Sequence, residues 1–354
     1  MPEKRALGFV RLEAPAPTGE GPGVPKAPPL MDDAAAAALL PDRPVRGHKG
    51  TFGKVLVVAG SLDYAGAALL VCRAAGRSGA GLVTLAVPES LQPLFAAKVV
   101  EATTMALPED DVEEVDPEPA IARILDHEHD AIVVGPGLRP GLATTELVRM
   151  LLDHPEDDRS PAAPLVLDAE ALRSMATMGD WWVGSVRPCV LTPHPGEFAR
   201  LREGAGLEPA DAGDLSADDD ARRVAAEAAA RAWGQVVVLK GAKTVIAEPD
   251  GTVTVAPFEN PGLATGGTGD VLAGVIAGLL AQGLVPGPAA RLGVYLHGTA
   301  GELITERLGD AGLLASDLPD AVPLVRKRLA AIAERTKSGK RLGFTVREGD
   351  GAGA

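Results

Sequence analysis

The densest run of chemistry-bearing positions is Asn260-Pro261-Gly262-Leu263-Ala264-Thr265-Gly266-Gly267-Thr268-Gly269-Asp270, which leads straight into an apolar helical stretch. Glycines free the backbone to bring the N–H groups of Gly266, Gly267, Thr268 and Gly269 to one point, and a helix N-terminus adds partial positive charge. Such a loop is an anion hole. Asp270, at the start of the helix, is either a general base facing that anion or an N-cap, a role that Thr268 could equally fill. The glycine density exceeds what a cap needs and favours the base. The loop is neither a P-loop nor a dinucleotide fingerprint, because Gly-x-x-x-x-Gly-Lys-Ser/Thr is absent and the glycines fall late in the chain.

Two further segments carry polar groups in restrained settings. Lys240-Gly241-Ala242-Lys243-Thr244 reads equally as a charged hairpin turn or as a phosphate or nucleotide contact. In Thr192-Pro193-His194-Pro195-Gly196-Glu197 the two prolines restrict the backbone of His194 and make it a candidate substrate contact. Glu197 either caps the following helix or helps to hold a metal-bound phosphate. Gly135-Pro136-Gly137-Leu138 and the stretch Gly60 to Ala68 permit close backbone approach, but each reads first as an ordinary tight turn between strand and helix. Asp168 ends a strand and reads as a loop-orienting residue, and His48-Lys49 could reach a phosphate. His127, His129 and His154 read as surface residues, and His297 as a residue flanking the core.

These positions need elements to hold them, and the chain supplies an alternation. Val-rich runs at Lys54–Ala59, Leu82–Val87, Ala131–Val134, Leu165–Leu167, Val190–Thr192 and Val236–Leu239 read as buried strands. Thr244–Ala247 and Thr252–Ala256 form a hairpin around Pro249-Asp250-Gly251. Helical stretches lie between, notably Ala67–Ser78, Ala217–Trp233, Asp270–Gln282 and Pro288–Leu308. This pattern predicts an α/β fold with a mostly parallel sheet covered on both faces and ligands at the carboxyl ends of its strands. Residues 1–30, rich in Pro and Gly, read as a flexible lead-in, 31–335 as one domain and 336–354 as a flexible tail.

Composition narrows the function classes. With 34 Lys+Arg against 48 Asp+Glu, the net charge of −14 and the lack of a basic stripe argue against nucleic-acid binding. Hydrophobic residues make up 46%, enough for a large core, and with 3% aromatics that core must be Ala, Val and Leu. The two cysteines, Cys72 and Cys189, belong to no paired motif, so a reducing cytoplasm is the expected compartment. The longest apolar stretch, from Val271 to just beyond Leu280, falls short of the ~20 residues a membrane span needs.

Taken together, the blocks resemble the ADP-dependent NAD(P)H-hydrate dehydratases, a branch of the ribokinase-like superfamily. The resemblance rests on His48-Lys49-Gly50, Val58-Ala59-Gly60-Ser61, Arg77-Ser78-Gly79-Ala80-Gly81, Gly135-Pro136-Gly137-Leu138, Leu167-Asp168-Ala169, Thr192 to Glu197, Lys240 to Thr244 and Asn260 to Asp270, in that order between His48 and Leu308. It implies a three-layer α/β/α ribokinase-like fold and repair of hydrated NADH or NADPH. A phosphoryl group would pass from ADP to the ring hydroxyl of the S epimer, phosphate would leave, and NAD(P)H would be restored with AMP and phosphate as by-products. It further implies Asp270 as the base, with Ala68, Gly137, His194 and Asp270 on the hydrated nucleotide. Lys240, Gly241, Ala242, Lys243, Thr244 and Gly269 would contact the adenine nucleotide. Mg²⁺ would bridge the phosphates with Glu197 as an indirect ligand, and the assembly would be a homo-oligomer, a tetramer.

Many bacterial relatives carry an N-terminal epimerase domain, whereas only about 45 residues precede the match here, too few for a second α/β domain. A separate epimerase is therefore the expected partner. The rival reading is an ATP-dependent vitamin or sugar kinase of the same superfamily, which often has Asn where His194 stands. A scaffold that kept the fold without catalysis is disfavoured by Asp270 and the intact glycine run. Lys240, Lys243 and the helix N-terminus together predict a compact positive cleft on an acidic surface.

Overall fold

Short runs of Val, Ile and Leu, too brief for helices, build the sheet because β-branched side chains pack well on a pleated surface. The computed structural model describes residues 29–153, 162–184, 187–207 and 212–341. Most of the predicted lead-in, His154 and the tail beyond Arg341 lie outside them. The strands are β1 (Lys54–Val58), β2 (Leu82–Pro88), β3 (Thr103–Leu107), β4 (Glu109–Asp111), β5 (Glu114–Val115), β6 (Ala131–Val134), β7 (Leu165–Leu167), β8 (Cys189–Leu191), β9 (Val236–Leu239), β10 (Val245–Ala247) and β11 (Val253–Val255). Among the described residues, one sheet runs in the order β11-β10-β9-β8-β7-β6-β1-β2-β3, and β4 with β5 forms a separate hairpin. Pairing is parallel from β9 through β8, β7, β6, β1 and β2 to β3. Only β10, antiparallel to both neighbours, breaks it, and it makes the predicted hairpin with β11.

The helices are α1 (Asp33–Ala38), α2 (Ala65–Ser78), α3 (Gln92–Ala96), α4 (Pro117–Asp126), α5 (Leu142–Leu152), α6 (Glu170–Met175), α7 (Pro195–Gly204), α8 (Ala212–Ala217), α9 (Asp219–Trp233), α10 (Thr268–Ala281), α11 (Pro286–Leu308) and α12 (Leu318–Arg341). Side chains alternate across the sheet. Val55, Val57, Leu85, Val133, Val166 and Val238 face α1, α2, α10, α11 and α12. Leu56, Val58, Ile132, Val134, Leu167 and Leu239 face α4, α5, α6, α7 and α9. The result is the expected three-layer α/β/α fold.

Two features of this architecture fix where chemistry can happen. Because the strands are parallel, Gly60, Gly135, Asp168, Thr192 and Lys240 all follow carboxyl ends and share one edge of the sheet. The chain's progress across the sheet reverses between β6 and β1, the switch point at which such folds open a crevice. Helix α10 is apolar on every side and buried between the sheet, α2 and α11. Its N-terminus comes up at the same edge.

Some elements go beyond the sequence reading. β3 lies at the sheet's edge, where its exposure alternates, so it shows no continuous apolar run. α12 buries Leu318, Val322, Val325 and Leu329 at helical spacing and continues through Thr336 to Arg341, past the expected start of the tail. Leu30, placed in the lead-in, bridges to Val255, and Met31 donates its N–H to Val255 O at 3.2 Å.

Candidate active site

The glycine-rich loop is held by its own polar groups. Asn260 Oδ1 accepts from Gly262 N at 2.9 Å, and Thr265 Oγ1 donates to Gly262 O at 3.0 Å. Thr268 Oγ1 lies 2.8 Å from Leu263 O and 2.9 Å from Thr265 O. Both hydroxyls thus face inward, and Thr268 N–H also turns back to Thr265 O at 3.3 Å. Thr268 is therefore a stitch in the loop and not the anion-hole donor expected of it. Gly267, with φ +91°, is the N-cap of α10, and no side chain caps this helix. A methyl group on Gly267 would meet Leu70 Cδ1 at 2.7 Å, so only glycine fits both the conformation and the space.

Asp270 accordingly is not a cap. It occupies the third helical position, half-buried, and burial and then the Asp168 carboxylate push its pKa up to about 7, with Lys240 opposing and Glu197 adding to the rise. A carboxylate poised there can exchange a proton near neutral pH.

Three polar side chains from other loops, Asp168, Lys240 and Glu197, converge beside it. Lys240, at the end of β9, places Nζ 2.8 Å from Asp168 Oδ1 and 3.8 Å from Glu197 Oε2. Burial pulls the ammonium pKa down, but Asp168 and Glu197 outweigh it and hold it above the usual lysine value. Glu197 Oε2 also accepts from His194 N at 2.9 Å, while His194 Nδ1 accepts from Gly196 N at 3.0 Å. This is a capping box at the start of α7, and Nδ1 as acceptor leaves the ring proton on Nε2. Phe198, one residue on, packs edge-on to Trp233 and anchors the helix. Glu197 thus caps α7, one of the two roles open to it from the sequence.

A cavity of about 430 Å³ opens beside Lys240 and Gly269, walled by Gly241, Ala242, Thr244, Phe258, Asn260, Leu263 and His297. A methyl carbon on Gly269 would lie 3.3 Å from Lys240 Nζ, so the loop backbone, the ammonium and the cavity meet at one point. Five of the six expected nucleotide positions line it. Lys243 does not. It adopts φ +53° and turns outward, with Nζ 2.6 Å from Glu259 Oε1 and 3.3 Å from Asp219 Oδ2. With Lys240 set among Asp168, Glu197 and Asp270, and Lys243 paired with Glu259 and Asp219, the expected positive cleft carries no surplus of positive charge. The remaining attraction for an anion comes from the uncapped α10 terminus.

At the switch point the loops after β1 and β6 lean together. Gly60 N donates to Pro136 O at 2.9 Å, and a methyl carbon on Gly137, with φ +67°, would meet Tyr64 O at 2.7 Å. Ala68 is fully buried under Gly60, so its side chain presents no surface to a ligand. His48 and Lys49 lie at the opposite edge, in the turn that precedes β1, where Gly81 packs on Lys49 O; they do not reach this site. His127 and His129 are half-buried rather than on the surface, before the start of β6. His297, expected only to flank the core, lines the cavity and bonds to Thr268. Asp168, read as orienting a loop, proves to be the partner of Lys240. Its signal was available, since it ends a strand at the same edge as Lys240.

Comparison with known proteins gives the site a context. A family profile described as NAD(P)H-hydrate dehydratase matches residues 55–324. The bifunctional NAD(P)H-hydrate repair enzyme of Moorella thermoacetica is 44% identical over 303 residues, covering 85% of this chain and 54% of the relative. The chain thus spans about half the length of this and several other curated relatives it matches. The crystal structure of the ADP/ATP-dependent NAD(P)H-hydrate dehydratase of Bacillus subtilis, co-crystallised with ATP and Mg²⁺, aligns with a TM-score of 0.70 at 35% identity, covering 86% of this chain and 99% of that one. A ribokinase-like superfamily protein of Enterococcus faecalis aligns at 0.68 and 26% identity, covering 85% and 96%.

Proposed function

The chain belongs to the NAD(P)H-hydrate dehydratase family, and from that premise we propose that it restores hydrated NADH and NADPH in an ADP-dependent reaction. The observation that carries this reading is the meeting of three things at the sheet edge: the glycine loop, the cavity beside Lys240, and Asp270 with its pKa raised to about 7.

Hydroxide is a poor leaving group, and phosphorylation converts the ring hydroxyl into a good one. Asp270 accepts the hydroxyl proton as that oxygen attacks the terminal phosphorus of ADP, a role worth about 10²–10⁴-fold in rate. The bond to the bridging oxygen breaks and AMP leaves. N–H groups of Gly266, Gly267 and Gly269 at the α10 terminus stabilise charge on the transferred phosphoryl group. Phosphate then leaves with the C–O bonding pair, the neighbouring ring carbon gives up a proton to solvent, and the ring double bond of the reduced nicotinamide is restored. Lys240, Gly241, Ala242, Thr244 and Gly269 bind the adenine nucleotide in the cavity. The crevice between the loops after β1 and β6, with Gly137 on one side and His194 nearby along the edge, takes the hydrated nucleotide.

Among the described residues, no group of three His, Cys, Asp or Glu is arranged to hold a metal ion. That donor set suits a Mg²⁺ carried mainly by phosphate oxygens and water, with Glu197 acting through water. When bound, Mg²⁺ neutralises phosphate charge. The assembly we propose is a homotetramer, with an epimerase activity supplying the S epimer from the R epimer and the cytoplasm as the compartment. No helix among the described residues is long and apolar enough to cross a membrane.

The test supplies hydrated NADH with ADP and Mg²⁺ and follows the absorbance of the reduced nicotinamide. Its return supports the reading. No return, together with ATP-dependent phosphorylation of a hydroxymethylpyrimidine or of pyridoxal, overturns it in favour of a kinase.

A further inference from the structure

We infer that Asp168 is a positioning residue for the reaction, its carboxylate holding the Lys240 ammonium at the seam between the nucleotide cavity and Asp270. The inference rests on the dehydratase reading above.

Asp168 is built to stay where it is. It is 2% exposed. Its N–H donates to Val134 O at 3.2 Å, its carbonyl accepts from Ala171 N at 3.1 Å, and a side chain on Gly135 would collide with that carbonyl. The residue after it, Ala169, takes φ +49° and ψ −115°, a conformation L side chains avoid. Such strain persists where the surroundings over-determine the backbone, and it clusters at functional sites. The strained turn aims one carboxylate oxygen at Lys240, 2.8 Å away, and the other towards Gly269, where a methyl carbon would lie 3.8 Å from it.

The consequence follows from what else faces the ammonium. Asp168 approaches Asp270 from the end of β7, Lys240 from β9 and Glu197 from α7, while His297 on α11 faces Thr268 and Lys240. Without Asp168, Lys240 would be shared between Glu197 and Asp270. Pairing with Asp270 would quench the base, and pairing with Glu197 would draw the charge off towards α7 and away from the cavity. Asp168 prevents both without touching substrate.

The experiment measures kcat/KM for ADP against pH, with ADP affinity by calorimetry, for the parent protein, Asp168→Asn, Asp168→Glu and Lys240→Gln. Removing the Asp168 charge should weaken ADP binding about ten- to hundred-fold, the range expected when one partner of a charge-assisted hydrogen bond is lost. It should also move the acid limb of the profile to lower pH, because a charge that opposes ionisation of Asp270 is gone. Lys240→Gln should move the limb the other way, and Asp168→Glu should return it towards the parent position. A merely structural role would lower amplitude and leave the limb in place. An unmoved limb with unchanged ADP affinity in Asp168→Asn overturns the inference. Should that variant fail to fold, an unmoved limb in Lys240→Gln does the same. A parent protein that binds ADP yet restores no reduced nicotinamide overturns the dehydratase reading, and the inference with it.

Discussion

His297 Nε2 lies 2.9 Å from the carbonyl oxygen of Thr268, so a histidine in the middle of α11 is bonded to the first residue of α10. Burial holds the His297 pKa down to about 4. The ring is neutral at pH 7, with Nε2–H as donor, and it braces from below the helix turn that carries Asp270. His297→Leu would remove the ring's hydrogen bond to that carbonyl and leave a gap in its polar contacts. The expected loss is about 1–3 kcal/mol of stability in urea unfolding, with a fall in kcat larger than the fall in ADP affinity.

Asp270→Asn tests the base directly. The variant should bind ADP as the parent does and lose at least roughly 100-fold in kcat. In the parent, kcat/KM should fall as the pH drops below about 7, because the protonated carboxyl cannot accept the hydroxyl proton. A variant that turns over normally would return Asp270 to a purely structural part.

Gly266 and Gly267 are neighbours with different reasons to be glycine. A methyl carbon on Gly266 meets nothing within 4 Å, whereas one on Gly267 meets Leu70 and Ala315 at φ +91°. Gly267→Ala should lose about 1–3 kcal/mol, from the left-handed backbone and the contact with Leu70. Gly266→Ala should stay within about 0.5 kcal/mol of the parent while losing at least about tenfold in kcat, because the loop backbone has to approach a phosphoryl group closely there. Thermal unfolding and turnover, measured on both variants, separate the two roles.

The two lysines of Lys240-Gly241-Ala242-Lys243-Thr244 should also part company. Lys240 lines the cavity, whereas Lys243 does not line it and is tied up at its rim by Glu259, a lining residue, and by Asp219. Lys243→Ala should change ADP affinity less than about threefold, as exposed ion pairs contribute little. Lys240→Ala should weaken it at least about tenfold. Equal losses in calorimetry would show that Lys243 swings inward to the nucleotide.

How much of this was legible in the sequence depends on the range of the interaction. Strand ends carry their meaning locally: Gly60, Gly135, His194 and Lys240 each follow a short apolar run, and parallel pairing puts them on one edge. The glycine loop announced an anion site for the same reason. What the sequence left open was partnership. Asp168 and Lys240 are 72 residues apart and His297 and Thr268 are 29 apart, and no local pattern encodes either pair. Turn geometry was also hidden, since left-handed φ at Lys243 sends a side chain outward that composition alone would place with Lys240. His48-Lys49 misled because a basic pair beside a strand looks the same at either end of it.

The pH dependence of stability brings the two buried titrating groups into opposition. Asp270 is protonated in the folded protein up to about pH 7, whereas an unfolded aspartate loses its proton near 3.8. Between those values the folded state holds more protons, so this residue makes stability fall as pH rises. His297 behaves inversely. Folded, it stays neutral down to about 4, whereas unfolded it takes a proton below 6.5, so stability contributed by the neutral ring is lost as pH falls through that interval. Each effect is on the order of 2–4 kcal/mol across its interval, and over pH 4–6.5 the two slopes offset. Single substitutions should expose them. Asp270→Asn, relative to the parent at each pH, should gain stability as pH rises from 4 to 7. His297→Gln, which keeps a donor that does not titrate, should lose less stability than the parent between pH 6.5 and 4. Taking differences from the parent at each pH removes the other titrating carboxyls from the comparison. Urea unfolding at half-unit steps from pH 4 to 8 reads both slopes, and two variants whose differences run in the same direction would show that the groups do not titrate as their surroundings require.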